Sequence, residues 1–141
     1  MALVRKSLIQ LKRFRVEELK ARLAALDEMK GGLDENIRQL DSAMERERVR
    51  SGDSAIARLA MHNILKGIEA RRGNIEKTRA DLERDRTELE AELVVAEQEL
   101  AAAETAEEQR RKRAVESAAS MAEYRRDQQL MRRHLRRHAI G

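Results

Sequence analysis

The sequence predicts an all-α fold: a two-helix antiparallel coiled-coil hairpin whose second helix is the longer one. Apolar residues recur at alternating spacings of three and four, which is the period of a left-handed coiled coil. The chain of 141 residues has no proline, one tyrosine, one phenylalanine and a charged fraction of 40%. This composition is typical of long helices and argues against a compact globular core, in which aromatic side chains supply much of the buried area.

The first helix is expected over residues 4–50. Its apolar residues occupy heptad positions a (Ile9, Val16, Leu23, Ile37, Met44) and d (Leu19, Leu26, Leu33, Leu40). Lys12 and Lys30 interrupt this pattern. Gly31 and Gly32 each cost about 1 kcal/mol relative to alanine in a helix. Because the heptad register runs through them unchanged, they predict a weak point rather than a helix end.

A turn over residues 51–54 is expected to separate this helix from a second one over residues 55–138. Gly52 could end the first helix in a left-handed conformation, and Asp53 or Ser54 could cap the second. The second register places Leu65, Leu93, Leu100, Ala114, Met121 and Leu135 at a, and Met61, Ile68, Ile75, Leu82, Leu89, Ala96, Ala103, Tyr124 and Met131 at d. The whole chain, 1–141, is therefore predicted to be a single coiled-coil domain.

A seven-residue repeat within the second helix places Arg72, Arg79 and Arg86 at core a positions. In each repeat an apolar residue is followed by a glutamate, with the arginine three residues after the glutamate. We expect each arginine stem to pack on the seam while its guanidinium reaches that glutamate on the same helix. The alternative is that a partner protein recognises the three arginines.

The short link makes the two helices antiparallel neighbours. Folding about Gly52 pairs residues whose numbers sum to about 105, so that the three arginines face Leu33, Leu26 and Leu19. This arrangement also brings Arg15 near Glu92 and Arg22 near Asp85. About forty residues, from about 100 to 139, would then project beyond the pairing, with only weak support from i,i+4 pairs such as Glu107–Arg111.

The charges are distributed unevenly along the chain. Residues 109–138 hold ten arginines and lysines against three carboxylates, a net charge of +7, and residues 1–22 carry +5. Residues 76–108 are acidic instead. In a hairpin the two basic segments lie toward the open end, which should attract an acidic partner. Nucleic acid is a less favoured partner, because Tyr124 alone could stack on bases there, and the apolar face is too narrow for membrane-surface binding.

The composition excludes several kinds of chemistry. The chain has no cysteine, which suits a reducing cytoplasm. It has neither an apolar run near the ~20 residues that span a bilayer nor a glycine-rich phosphate loop. His134 and His138 lie four residues apart, but no third metal ligand accompanies them. We therefore expect a cytoplasmic, non-enzymatic protein without a metal or cofactor.

The most specific local pattern lies near the end of the second helix, where an E-x-R-x-D-Q-x-x-M motif comprises Glu123, Arg125, Asp127, Gln128 and Met131. Together with the N-terminal segments Lys6-Ser7-Leu8 and Phe14-Arg15-Val16-Glu17, it resembles the FliJ family of flagellar type III export proteins. The resemblance implies a stalk-like coiled coil that binds the export ATPase ring, links it to the export gate at the inner membrane and interacts with export chaperones. The five motif residues would then lie at the ATPase-binding end.

The gate contact would lie near the tip of the hairpin, where this chain is poor in aromatic residues. Our prediction for that surface is Met44, Arg48, Ile56, Met61 and Ile64. Stalk proteins of virulence-type secretion systems are close alternatives. A nucleic-acid-associated coiled coil and a generic structural coiled coil are the alternatives from other classes. An intramolecular hairpin of this kind is expected to be monomeric when isolated and to reach the membrane only through its partners.

Overall fold

The computed structural model describes residues 2–50, 52 and 54–140, and the side chains of 3–50, 52, 54–139. It confirms the all-α, two-helix antiparallel hairpin with the longer second helix. Helix α1 spans Ala2–Arg50 and helix α2 spans Ala55–Ile140, and the described part of the chain contains no strand. Helix α1 continues without a break through Gly31 and Gly32, whose Cα positions face open space.

The turn between the helices falls where the sequence predicts it. Ser54 caps α2, since its hydroxyl accepts a hydrogen bond from the backbone N–H of Ala57 at 3.1 Å. The predicted left-handed conformation of Gly52 is wrong, because no glycine in the described chain has a positive φ. Asp53, the other predicted cap, lies outside the described residues.

The contacts form two compact units, of which the second contains residues 13–97. In this unit the two helices meet along the predicted a and d positions, referred to below as the seam. Val16, Leu19 and Ala96 are buried, and Leu19 is 1% exposed. The remaining seam residues are mostly half-buried; they include Leu23, Leu26, Lys30, Leu33, Ile37, Leu40, Met44, Met61, Leu65, Ile68, Arg72, Ile75, Leu82, Arg86, Leu89 and Leu93.

The pairing register within this unit differs from the prediction by one heptad. Arg72, Arg79 and Arg86 lie beside Asp41, Asp34 and Asp27, respectively. Each of these aspartates follows the d residue that faces the arginine, so the facing seam residues have numbers that sum to about 112 rather than 105. A shift of seven residues preserves every a and d position, so the apolar pattern alone does not distinguish the two registers. The observed register gives each arginine its own aspartate and places Leu93 opposite the buried Leu19.

The other unit contains residues 1–12 and 98–141. Within its described part, α1 from Arg5 to Lys12 packs against α2 from Leu100 to Arg110. The half-buried seam positions are Arg5, Ile9, Lys12, Leu100, Ala103, Glu107 and Arg110. The uncovered part of α2 thus begins after Arg110, about ten residues later than the register predicted from the sequence. From residue 111 to 139 every side chain except that of Ala122 is exposed.

Candidate functional site

The first candidate feature is an arginine ladder in the unit of residues 13–97, formed by the pairs Arg72–Asp41, Arg79–Asp34 and Arg86–Asp27. The three N–O distances are 2.8, 3.1 and 2.7 Å. Each arginine stem occupies an a position of α2, and the aspartate of α1 that it contacts lies at the neighbouring e position. The guanidinium groups are therefore bound across the helix pair rather than presented to a partner.

The expected pairing of these arginines with the preceding glutamate on α2 is wrong. Arg72 contacts Glu76 at 3.3 Å and Arg86 contacts Glu90 at 2.8 Å, in each case a glutamate four residues later. The carboxylates of Asp27 and Glu90 together raise the pKa of Arg86, the hydrogen bond to Asp27 being the main cause. The ladder thus connects the two helices by one ion pair for each arginine in the observed register.

Lysines in the seam are held in the same way. Lys30 forms an ion pair with Glu83 of the opposite helix, and within the other unit Lys12 lies 3.6 Å from Glu99. The predicted approach of Arg15 to Glu92 is confirmed at 3.5 Å. Arg22 instead donates to Glu18 of its own helix at 2.8 Å. Sequence reasoning treated the two lysines as interruptions, yet their spacing already placed them at seam positions.

The second feature is a charged cluster where α1 ceases to cover α2. Arg110 donates two hydrogen bonds to Glu107, at 2.8 and 3.1 Å, and the predicted Glu107–Arg111 pair is confirmed at 3.6 Å. The Glu107 side chain is only 10% exposed. The hydrogen bond from Arg110 lowers the pKa of Glu107, against partial burial that raises it, while the charges of Arg110, Arg111 and Arg5 lower it further. This carboxylate therefore stays ionised near neutral pH and is unsuited to act as a general acid.

An apolar groove lies beside this cluster in the same unit. It has a volume of about 360 Å³ and is lined by Arg5, Leu8, Ile9, Ala103, Ala106, Glu107 and Arg110. Its lining combines the small and aliphatic side chains of Leu8, Ile9, Ala103 and Ala106 with the charged side chains of Arg5, Glu107 and Arg110. Two further grooves, of about 440 and 400 Å³, follow the helix pair in the unit of residues 13–97. Small apolar grooves of this form suit the side chains of a packed helix.

The third feature is the uncovered seam, which continues the heptad positions of α2 past Arg110. Its positions are Ala114, Ser117, Met121, Tyr124, Gln128, Met131, Leu135 and His138. They follow the same spacing of three and four as Leu100, Ala103, Glu107 and Arg110, which α1 covers. Tyr124 is 59% exposed, Met131 67% and Leu135 63%. An apolar stripe at seam spacing therefore lies open to solvent on a net positive segment.

The five predicted ATPase-binding residues all lie on this uncovered part of α2 and are exposed. Gln128 and Met131 belong to the uncovered seam itself, and Gln128 donates to the Tyr124 hydroxyl at 2.8 Å. Arg125 lies on one flank of the seam and Asp127 on the other. Glu123 lies further round the helix. The motif as predicted omitted Met121, Tyr124 and Leu135, although the continuing heptad spacing identified them as members of the same stripe.

The five residues predicted for the hairpin tip differ in their exposure. Met44 and Met61 are half-buried in the seam, whereas Arg48 and Ile56 are exposed and Ile64 is 42% exposed. Val49 and Leu59 are also exposed apolar residues near the turn. Sequence reasoning missed these two because they fall outside the a and d positions.

The two histidines near the end of α2 do not form a metal site with other described residues. The His134 and His138 rings stack edge to face with centroids 4.2 Å apart, and the described residues contain no group of three or more histidines and carboxylates placed to hold a metal ion. Neither described helix has an apolar stretch long enough to cross a membrane.

Fold and surface together define the class of protein: an antiparallel coiled-coil hairpin whose second helix carries an uncovered seam on a basic segment. Comparisons with family models, curated proteins and solved structures gave no match to this chain.

Proposed function

We propose that this chain is a non-catalytic stalk or adaptor protein of a bacterial type III export apparatus, of flagellar or virulence type. In this role it binds the ring of the export ATPase and couples it to the export gate and to export chaperones. The resemblance of the Glu123–Met131 motif to the FliJ family supports this proposal. One structural observation carries it: the motif lies on the part of α2 that α1 does not cover, where every motif side chain is exposed.

The distribution of charge supports the same role. The uncovered segment is rich in arginine, and such a segment associates rapidly with an acidic surface at low ionic strength. In the paired part of the hairpin, the arginine ladder neutralises the charges of the seam arginines. We therefore assign partner binding to the uncovered part. The protein acts as a monomer at the cytoplasmic face of the inner membrane and reaches the membrane through its partners.

Co-purification with the export ATPase encoded in the same genome tests this function. The full-length chain should retain the ATPase on an affinity resin, and a chain ending after Ala119 should lose it. Circular dichroism of the shortened chain should still show the helical hairpin, since residues 5–110 carry the pairing. Retention of the ATPase by the shortened chain would contradict the proposed binding end, and failure of the full-length chain to bind would remove the function.

A nucleic-acid-associated coiled coil remains the second candidate because of the exposed arginines at 125, 126, 132 and 133. Phosphate contacts of this kind weaken steeply as salt is raised. A gel-shift titration at physiological salt should show no complex if the export role is correct. A complex that persists under those conditions would favour the second candidate.

A further inference from the structure

We infer that the uncovered seam of α2 is a docking surface for an acidic amphipathic α-helix of another protein, which takes the place that α1 occupies further along α2. This inference adds the chemistry of a bound segment to the proposed function, and it does not depend on the partner being an ATPase.

Continuity with the helix pair is the first argument. In the unit of residues 98–141 the seam of α2 passes from covered positions at Leu100 and Ala103 to exposed positions at Met121 and Tyr124 without a change of spacing. Only the covering helix is missing, because the pairing with α1 ends at the level of Arg5. The exposed positions span about three heptads, a length over which coiled-coil helices associate.

The exposed apolar residues are of the kinds that anchor a helix. Tyr124 presents an aromatic ring of large area and few rotatable bonds, which is typical of residues that dominate binding. Met121 and Met131 have flexible thioether chains that adapt to a partner surface. The apolar groove beside Ile9 and Ala106 lies where α1 ceases to cover the seam, so it can accept the first side chain of the incoming helix.

Charge identifies the partner chemistry. Position e beside the uncovered seam holds Arg125 and Arg132, and the segment from residue 109 to 138 has a net charge of +7. A helix with glutamate or aspartate at its flanking positions would meet these arginines directly. A second copy of this chain would bring one such segment against another of the same charge, which opposes association.

The test uses the full-length chain and a fluorescein-labelled synthetic helix of about four heptads. The peptide carries Ile and Leu at a and d and Glu at e and g, and a matched peptide carries Lys in place of Glu. Fluorescence anisotropy at low salt should show binding of the Glu peptide and at least tenfold weaker binding of the Lys peptide. Raising the salt should weaken the complex without abolishing it, because part of the contact is apolar.

Two pairs of variants separate docking on the seam from general attraction to a basic helix. Met131→Lys places a charge in the seam and should weaken binding of the Glu peptide at least tenfold. Leu130→Lys makes the same change at an equally exposed neighbour, 61% against 67%, and should weaken it less than twofold. Likewise Arg125→Glu with Arg132→Glu should weaken binding more than Arg126→Glu with Arg133→Glu, although the net charge changes equally.

Several results would overturn the inference. Equal effects of Met131→Lys and Leu130→Lys would show that the peptide senses charge alone. Equal binding of the Lys peptide would remove the acidic partner. Sedimentation that showed a dimer abolished by Met131→Lys would identify a second copy as the occupant. Tight binding of RNA that is insensitive to Met131→Lys would point to the phosphate backbone instead.

Loss of ATPase co-purification with retained peptide binding would reject the export function and leave the docking surface.

Discussion

The covered seam of residues 13–97 and the uncovered seam of residues 114–138 follow the same heptad spacing but reach different states. In the covered seam Leu19 is 1% exposed, whereas in the uncovered seam Leu135 is 63% exposed. Among the described residues, α1 packs against α2 as far as Arg110, and the side chains of α2 from 111 to 139 are exposed apart from that of Ala122. A heptad pattern therefore identifies the surface of a helix that can pack against another helix. Whether that surface is already covered depends on how far α1 extends along α2.

The largest expected effect is a difference in stability when the same substitution, leucine to alanine, is made in each of the two regions. Leu19→Ala removes a fully buried side chain and should destabilise the hairpin by about 3 kcal/mol, within the usual range for such a change. Leu135→Ala should change stability by less than about 0.5 kcal/mol, because that side chain is exposed. Urea unfolding followed by circular dichroism measures both. Equal effects would show that Leu135 is packed in solution, which would contradict the description of the seam as uncovered.

The next effect concerns helix propensity in the same two regions. Gly31→Ala with Gly32→Ala should stabilise the hairpin by about 2 kcal/mol, since each glycine costs about 1 kcal/mol in a helix and a Cβ at either position meets no atom within 4 Å. The reverse change in the uncovered segment, Ala118→Gly with Ala119→Gly, should lower helicity and leave the midpoint of the main urea transition unchanged. A shifted midpoint for the second pair would show that the two regions unfold together.

The arginine ladder gives a smaller and more specific effect. Asp34→Arg places two guanidinium groups together and should cost about 1 kcal/mol, while Asp34→Arg with Arg79→Asp should recover most of it, since a single exposed pair is worth up to about that amount. Glu28→Arg, on the outer face of the same helix, is the control. Failure of the exchanged pair to recover stability would indicate that Asp34 and Arg79 do not meet in solution.

Zero-length carbodiimide crosslinking of the unmodified chain reads the register directly. Lys30 forms an ion pair with Glu83. Mass spectrometry should therefore recover more of the amide that joins Lys30 to Glu83 than of the amide that joins Lys30 to Glu76. The Glu76 product is the one expected from folding about Gly52, one heptad away. Its predominance would overturn the observed register and restore the pairing that the turn alone predicts.

The smallest expected effect is a dependence on pH at the end of the covered seam. The pKa of Glu107 is lowered, chiefly by the hydrogen bond from Arg110. The ionised Glu107 carboxylate therefore stabilises the folded chain fully above the ordinary glutamate pKa of about 4.3. This contribution is lost as the pH falls through the lowered pKa of Glu107. NMR titration of the carboxyl carbons should show Glu107 titrating below the ordinary glutamate pKa. Glu107→Gln should remove this pH-dependent contribution, whereas Glu108→Gln should retain it.

Much of the fold was predictable because its causes are local. The a and d positions, the turn before Ser54 and the Glu107–Arg111 pair follow from spacing and capping. The register was not predictable from the turn, because the apolar pattern is equivalent after each shift of one heptad. In the observed register Asp27, Asp34 and Asp41 meet the three arginines, and these aspartates lie outside the apolar pattern. For the same reason the start of the uncovered segment was placed too early.

The candidate site was predictable in part. The motif from Glu123 to Met131 lies on an exposed helix, and its stripe was already visible in the positions of Met121, Tyr124 and Leu135. The residues predicted for the tip combine two kinds of position. Met44 and Met61 already occupied a and d positions in the heptad pattern and are half-buried, whereas Arg48 and Ile56 are exposed. The function, the partners and the location at the export apparatus stay predictions.

The arginine ladder has a consequence for sliding of one helix along the other. Its arginines and aspartates share a seven-residue spacing, so a slip of one heptad in either direction would still match two of the three pairs. The remaining arginine would then meet a cation: Arg86 would approach Lys20 after a slip one way, and Arg72 would approach Arg48 after a slip the other way. Like charges therefore oppose a slip of one heptad in either direction, which favours the observed register within residues 13–97.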